Sequence, residues 1–191
     1  MRSPQSPEQA MILRPALLLV AANLAIGAVG NTRIQVGAST PAPPARHEDV
    51  SSIDAIVRAA YDVISGPQGQ KRDWDRFRTL FTSDARFTAA MPGKDGNIKL
   101  ISLDVPGFIK VAEPAFMGGF FEKETWRHVD AFAGIAQAWS AYESRFKADD
   151  ERPFQRGINS FQLWNDGGRW WIVSIYWQAE DKSNPVPPVS P

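Results

Sequence analysis

The chain has 191 residues, of which 43% are hydrophobic and 22% are charged. This composition is typical of a globular protein and too apolar for a chain that stays unfolded. The 21 basic and 21 acidic residues cancel, so the sequence lacks the excess positive charge on which nucleic-acid binding depends. The sequence contains no cysteine, which excludes disulfide bonds, thiolate metal sites and a cysteine nucleophile.

The amino-terminal residues predict a secretory signal peptide. The stretch 16–30 is nearly all apolar, follows Arg14 and ends in small residues. It is shorter than the ~20 apolar residues that a membrane span needs. We therefore predict a signal peptide over residues 1–30, a periplasmic or secreted protein and no further membrane association. An uncleaved anchor is the alternative, and translation from Met11 would give the more ordinary signal.

Proline-rich segments flank the expected folded part. Residues 31–49 are rich in proline and alanine, and residues 182–191 contain four prolines. Neither stretch has the apolar periodicity that would allow it to bury surface, so we predict a disordered linker and a disordered tail. His47 lies in the linker and is expected to be inert. One folded domain is expected over residues 50–181.

Helices are predicted in the first half of this domain. Apolar residues over 53–64 recur at the spacing of one helix face. Asp73 is placed to cap a short second helix. A third helix fits residues 104–116, with Pro106 in its first turn, where the missing N–H costs nothing. A short strand is expected at residues 81–87.

Four strands are expected after residue 120, because runs rich in β-branched and aromatic residues follow. We place these strands near residues 121–132, 135–147, 156–164 and 169–179. A two-residue hairpin loop at Asp166-Gly167 would pair Asn159 with Ser174 and Gly157 with Tyr176. Both faces of this hairpin are largely apolar, so each face is expected to be covered.

This order of elements resembles the nuclear transport factor 2-like superfamily, which includes the SnoaL-like domains. The resemblance rests on residues 81–87, 134–139 and 156–177, whose order and spacing match the superfamily pattern. It implies a cone-shaped α+β fold, in which three amino-terminal helices pack on a curved antiparallel sheet and enclose a pocket. This scaffold hosts enzymes, transport factors and binding proteins, so the fold leaves the function open.

Ketosteroid isomerase, a member of the superfamily, provides a test for catalytic residues. Its tyrosine donor matches Tyr61 and its strand donor matches Asn159, whereas the position of its base holds Ala89. The resemblance therefore implies no evident catalytic base by that route. His128 is the alternative acid or base, because histidine titrates near neutral pH. A structural or surface role for His128 is the plainer interpretation.

We expect a small, largely apolar molecule to bind in the cavity between sheet and helices. The residues expected to line this cavity are Tyr61, Asn159, Phe161, Trp170, Ile172, Ser174 and Tyr176. Two alternatives are a lyase or isomerase that acts on a small carbonyl compound through His128, and a dimeric interaction module with a filled cavity. No phosphate-binding or metal-ligand motif is present in the sequence, so neither a cofactor nor a metal is expected.

The other face of the predicted hairpin indicates a homodimer. Its apolar residues are Ile158, Trp164, Trp171, Val173, Ile175 and Trp177. A large exposed apolar patch usually marks an interface. We therefore expect two copies to pair through the outer face of the sheet.

Overall fold

The computed structural model describes residues 44–93 and 97–188, which belong to one compact unit. The predicted signal peptide over residues 1–30 lies outside the described residues, as do the linker up to residue 43 and the last three residues of the tail. Within the described ranges, no helix has the length and apolar content needed to cross a membrane.

Helices and strands are both present, which confirms the predicted α+β class. In the described part, the helices are α1 (His47–Val50), α2 (Ile53–Ile64), α3 (Trp74–Thr79) and α4 (Val105–Phe116). The strands are β1 (Phe81–Pro92), β2 (Ile98–Leu103), β3 (Phe121–Phe132), β4 (Ile135–Arg145), β5 (Gln155–Asn165) and β6 (Trp170–Ala179). The predicted set of three amino-terminal helices differs from this arrangement, because α1 is an additional helix and α4 follows two strands.

The six strands form one sheet in the order β2-β1-β6-β5-β4-β3. Neighbouring strands are antiparallel except β1 and β6, which run parallel. The expected antiparallel sheet is therefore found in four of the five neighbouring strand pairs, and the exception is β1–β6. The long connection from β1 to β6 allows the two strands to point the same way, as parallel pairing requires. Strands β2 and β3 form the two edges.

Side-chain caps fix the first residues of the three longer helices. Ser52 Oγ accepts a hydrogen bond from the backbone N–H of Ala55 at the start of α2. Asp73 and Asp104 cap α3 and α4 in the same way. These short polar side chains satisfy backbone donors that lack a partner within the helix, which explains why each helix begins there.

The core lies between the helices and one face of the sheet, here called the inner face. Phe77, Phe81, Phe87 and Phe108 pack together, with ring centroids 4.3–5.7 Å apart. The helix spacing of residues 53–64 turns the apolar side of α2 toward this core. The opposite face of the sheet, here called the outer face, has no helix packed on it in the described part.

The β5–β6 register differs from the prediction. Trp170 pairs with Asn165, so the hairpin loop contains the four residues 166–169 instead of two. The side chain of Asp166 accepts hydrogen bonds from the N–H groups of Gly168 and Arg169 and from the Trp171 indole, which stabilises the longer turn.

A β-bulge in this hairpin exchanges the two faces of β6. Ile172 pairs with Leu163, but the next pair joins Ser174 to Gln162. Ser174 and Tyr176 therefore lie on the outer face, and their predicted place in the cavity is wrong. Ile175 and Trp177 pack against the core instead of forming part of the outer patch.

Both ends of the domain make ordered contacts beyond residues 50–181. In α1, whose first residue is the exposed His47, the buried Asp49 accepts two hydrogen bonds of 2.8 Å from the Arg76 guanidinium. Residues 184–187 of the tail line a groove on the outer face. Over these described residues, the segments predicted as disordered are held by specific side-chain partners.

Candidate functional site

A network of hydrogen-bonded polar side chains lies on the inner face, where α2 meets β3, β4 and β5. Its members are Tyr61, Glu122, Glu124, Ser140, Ser144 and Asn159. The strand register assembles it, because Ser140 pairs with Asn159 across β4–β5 and Glu122 pairs with Ser144 across β3–β4. The register thus gathers polar residues that are far apart in the sequence.

The hydroxyl of Tyr61 is at the centre of this network. It lies 2.7 Å from Ser140 Oγ and accepts a hydrogen bond of 3.0 Å from the side-chain amide of Asn159. The Ser140 hydroxyl donates its one proton to Glu124 Oε1 at 2.5 Å. Because that proton is already used, Tyr61 must be the donor to Ser140. The Tyr61 hydroxyl therefore has a partner both as donor and as acceptor.

The carboxyl group of Glu122 is the network's titratable centre. Oε1 accepts a hydrogen bond of 3.2 Å from Asn159, and Oε2 accepts one of 2.9 Å from Ser144. Burial raises the pKa of Glu122 to about 7, although both hydrogen bonds favour the charged form. The residue as a whole is only partly buried, and it lies on the edge strand β3.

Two tyrosine hydroxyls near Glu122 stay protonated at neutral pH. Burial raises the pKa of Tyr61 above its ordinary value, and the negative charge of Glu122 raises it further. The pKa of Tyr142 is raised by the same two causes. Among the three groups, only Glu122 can gain or lose a proton near pH 7.

The network reaches the surface at β3, which is an edge strand. The Glu124 side chain is 24% exposed and lies 3.3 Å from the Arg127 guanidinium. Arg127 also contacts Asp54 on α2 at 2.8 Å. One cation is thus shared by two carboxylates at the open end of the network.

The predicted cavity residues are only partly brought together. Tyr61, Asn159, Phe161 and Ile172 are buried on the inner face, where the Tyr61 and Phe161 rings lie 5.9 Å apart. Trp170 is partly buried and packs against the same core. Tyr61 and Asn159 use their donors on Ser140, Tyr61 and Glu122, not on an open oxyanion site.

His128 does not belong to this site. It lies on the outer face of β3, opposite Trp139, and its side chain is 67% exposed. Its Nε2 is 3.2 Å from Asp130 Oδ2, and neither residue reaches the network. The hypothesis that His128 serves as the acid or base of the cavity is therefore wrong.

Glu122 and Glu124 were not among the residues predicted from the sequence to form the site. Their spacing of two residues places both on one face of a strand, which was the available signal. Serines at 140 and 144 on the same face of the next strand would have indicated a polar partner. No group of three or more histidine, aspartate or glutamate residues within ranges 44–93 and 97–188 could hold a metal ion.

Solved structures of other proteins share this architecture. An NTF2-like protein of unknown function from Pseudomonas putida matches with a TM-score of 0.51 and 14% identity, covering 74% of this chain and 95% of that one. This chain has the nuclear transport factor 2-like fold. The resemblance drawn from residues 81–87, 134–139 and 156–177 is thereby confirmed at the level of the fold.

Two further structures match this NTF2-like domain and are described as having a cystatin-like fold. An uncharacterized protein from Caulobacter vibrioides gives a TM-score of 0.52 at 12% identity, covering 70% of this chain and 90% of that one. A protein of unknown function from Nostoc punctiforme gives a TM-score of 0.52 at 11% identity, covering 68% of this chain and 90% of that one. No protein-family model and no curated relative matches the sequence. At these identities, the likeness concerns the fold alone.

Proposed function

We propose that this NTF2-like domain binds a small, largely apolar molecule on the inner face of its sheet, with the polar group of the ligand at Glu122. The Glu122 carboxyl group carries this proposal, because it is desolvated, has a pKa near 7 and lies on an edge strand beside an apolar core. Sites for small molecules usually combine an apolar wall with a few polar groups of this kind.

The polar group of the ligand is a hydrogen-bond donor, such as a hydroxyl or an amine. The donors of Tyr61, Ser140 and Asn159 already have partners within the network. When Glu122 is ionised, a ligand carbonyl would therefore find no free donor there, whereas the Glu122 oxygens can accept a further hydrogen bond. A ligand carboxylate would place a second negative charge beside Glu122, which is unfavourable.

A ligand would approach from the β3 edge. Glu124 and Arg127 lie at this edge, with side chains 24% and 15% exposed. They shield the inner network only in part. The apolar part of the ligand would then lie against the partly buried Trp177, and its polar end would reach Glu122.

Three decyl compounds test this proposal: decylamine, decanol and decanoate. Their affinities for the full chain are measured by isothermal titration calorimetry at pH 6 and pH 8. At pH 8, where Glu122 is ionised, we expect the amine and the alcohol to bind and decanoate to bind at least about tenfold more weakly, which corresponds to ~1.4 kcal/mol. At pH 6, where Glu122 is largely neutral, this difference should shrink. Glu122→Gln should lower the affinity for decylamine by roughly tenfold, because it removes one charge-assisted hydrogen bond.

Glu113→Gln is the matched control, because Glu113 is an exposed acid on α4 and the charge change is the same. It should leave all three affinities unchanged. Equal binding of decanoate and decylamine at pH 8 would contradict the proposal. So would a Glu122→Gln variant that binds decylamine as tightly as the parent chain.

Proton transfer at Glu122 is the second candidate function. A carboxyl group with a pKa near 7 can act as a general acid or base, and it replaces His128 in the predicted lyase or isomerase. The test is hydrogen–deuterium exchange of cyclohexanone α protons, followed by NMR in D₂O. Exchange catalysed by the parent chain and lost in Glu122→Gln supports catalysis, and exchange that is equal in both contradicts it.

We also propose export, on the apolar stretch 16–30 after Arg14. Amino-terminal sequencing of the protein from its native cell should find a new first residue between about residues 25 and 38, as signal peptidases cleave after small residues. An intact amino terminus on a cytoplasmic product would contradict export.

A homodimer remains a proposal, now with corrected residues. Ile135, Trp164 and Trp171 form one row across the outer faces of β4, β5 and β6. Ile135 is 60% exposed, and the neighbouring Phe132 and Val173 are 79% and 39% exposed. This patch lies at the hairpin end of the sheet and offers apolar area to a second copy.

A further inference from the structure

A groove of about 240 Å³ lies on the outer face, on the side of the sheet opposite Glu122. Strands β4, β5 and β6 form its floor, and tail residues 184–187 line its other side. The volume is a little below the ~300–1,000 Å³ that is usual for sites of drug-sized ligands. The groove therefore suits a compound of one or two rings.

The floor of the groove has the form of a slot. Trp139, Ser160 and Tyr176 lie in one row across β4, β5 and β6. Adjacent strands are ~4.8 Å apart, so the small Ser160 leaves a gap between two large aromatic side chains. Trp139 and Tyr176 are 42% and 46% exposed, which leaves ring surface open for stacking.

The tail is held over this slot by two sets of hydrogen bonds. The Asp181 carboxylate accepts from the backbone N–H groups of Ser183 and Asn184, which fixes a turn. Glu180 accepts a hydrogen bond of 3.0 Å from the N–H of Val186. Prolines 185 and 187 have no N–H group and restrict the backbone, so the tail covers the groove without donating into it at these positions.

Polar groups of the slot lack partners. The side chains of Ser160, Tyr176 and Gln178 make no hydrogen bond within the described ranges, and all three line the groove. Ser160 is 7% exposed and Tyr176 is 46% exposed, so the polar groups of the slot range from nearly covered to open. These side chains have donors and acceptors that a ligand in the groove could use.

The charges beside the groove compensate one another. Arg156 lies 3.6 Å from both Glu143 and Glu180. Glu143 also contacts Arg145 at 2.8 Å, so two cations balance two anions. The groove therefore offers no net charge to attract an ion.

We propose that this groove is a binding site for a small, flat, uncharged ring compound with hydrogen-bonding groups at its edge. The ring occupies the slot beside Trp139 and Tyr176, and its edge groups meet Ser160 and Gln178. The tail closes the site from above. This site is separate from the one at Glu122, so either proposal can fail without the other.

Benzamide, benzoate and cyclohexanecarboxamide form a matched set of probes for this site. Benzamide is flat and neutral, benzoate is its charged counterpart, and cyclohexanecarboxamide keeps the amide but not the flat ring. Titrations of the full chain are followed by two-dimensional NMR. We expect saturable shifts with benzamide, centred on the Trp139 indole, and affinities at least about tenfold weaker for the other two.

Two outer-face tryptophans provide a matched pair of variants. Trp139→Ala should weaken benzamide binding at least about tenfold, and Trp164→Ala, which removes a tryptophan of almost equal exposure outside the groove, should not. Ser160→Ile should abolish binding by filling the slot. Tyr176→Phe, which removes a single hydroxyl and preserves the ring, should weaken binding while leaving the unfolding midpoint unchanged.

Several outcomes would overturn this proposal. They are no saturable binding of benzamide up to its solubility limit, equal binding of benzoate, and benzamide binding that survives Trp139→Ala. Sedimentation gives one more: if Trp139→Ala turns a dimer into a monomer and benzamide does not bind the parent chain, the groove is an interface between copies.

Discussion

Polar side chains lie on both faces of strands β4, β5 and β6, but the two faces differ in the hydrogen-bond partners they provide. On the inner face, Ser140 and Asn159 have partners because α2 brings the Tyr61 hydroxyl against them. On the outer face, Ser160 and Tyr176 make no hydrogen bond to another described residue, although tail residues 184–187 line the same groove. The covering segment decides whether a polar position becomes part of the fold or stays open for a ligand.

The largest expected contrast concerns aromatic side chains on the two faces. Phe161 is 1% exposed on the inner face, whereas Tyr176 is 46% exposed on the outer face. Phe161→Ala should lower the free energy of unfolding by about 3–5 kcal/mol, because it leaves a cavity in the core. Tyr176→Ala should lower the free energy of unfolding by less than about 1 kcal/mol. Urea unfolding measures both, and a larger loss at Tyr176 would contradict the assigned faces.

Polar residues on the same strand give the next contrast. Asn159→Leu removes a donor from Tyr61 and from Glu122, and should lower the free energy of unfolding by roughly 1–3 kcal/mol. Gln162→Leu changes an exposed outer-face residue, and its free energy of unfolding should lie within about 0.5 kcal/mol of that of the parent chain. The same urea unfolding experiment applies. Equal effects would show that the network contributes nothing to stability.

The sequence predicts the elements of this fold better than it predicts their faces. Helix α2 follows from local periodicity and strand β3 from a run rich in β-branched and aromatic residues, and the structure confirms both. The four-residue turn is held by local hydrogen bonds from the Gly168 and Arg169 N–H groups to Asp166, which the prediction of a two-residue loop did not include. The bulge before Ser174 appears only in the pairing of β6 with β5. Because of this one extra residue in β6, Ser174 and Tyr176 lie on the outer face and not on the inner face that was predicted for them.

The candidate site was predicted in part for a related reason. Tyr61 and Asn159 were found because the resemblance to the superfamily singles them out. Glu122 and Glu124 were missed, because their role depends on burial and on serines of the next strand. Asp49 was assigned to a linker because its partner, Arg76, lies 27 residues away in the sequence.

The pH dependence of stability should reveal the buried carboxyl group. The folded pKa of Glu122 is raised from its ordinary value of 4.5 to about 7, so the folded state holds a proton that the unfolded state has lost between these values. Stability from this group is therefore fully present below about pH 4.5 and declines as the pH rises toward 7.

Glu122→Gln removes this decline, because glutamine resembles the neutral acid and does not titrate. Between pH 5 and pH 8, the free energy of unfolding of the parent chain should fall by roughly 1–3 kcal/mol relative to that of the variant. Glu113→Gln, at an exposed position, should show no such difference. Denaturant unfolding at several pH values measures this, and parallel curves for parent and Glu122→Gln would exclude a desolvated carboxyl group at that position.

The smallest effect on folding is expected at the hairpin end of the outer face, where association is the informative measurement. Trp164 is 43% exposed and lies between Ile135 and Trp171 in one apolar row. Trp164→Asp should change the folding free energy of one subunit by less than about 1 kcal/mol, because surface positions tolerate substitution. The same change should abolish the proposed homodimer, since a two-fold interface brings the introduced charge into a buried apolar contact from both copies.

Sedimentation velocity separates these effects, with Lys123→Asp, an exposed change on the outer face of edge strand β3, as control. A parent chain that sediments as a monomer at all concentrations would mean that this row is simply exposed. In that event the outer face is left with one proposed role, the groove beneath the tail.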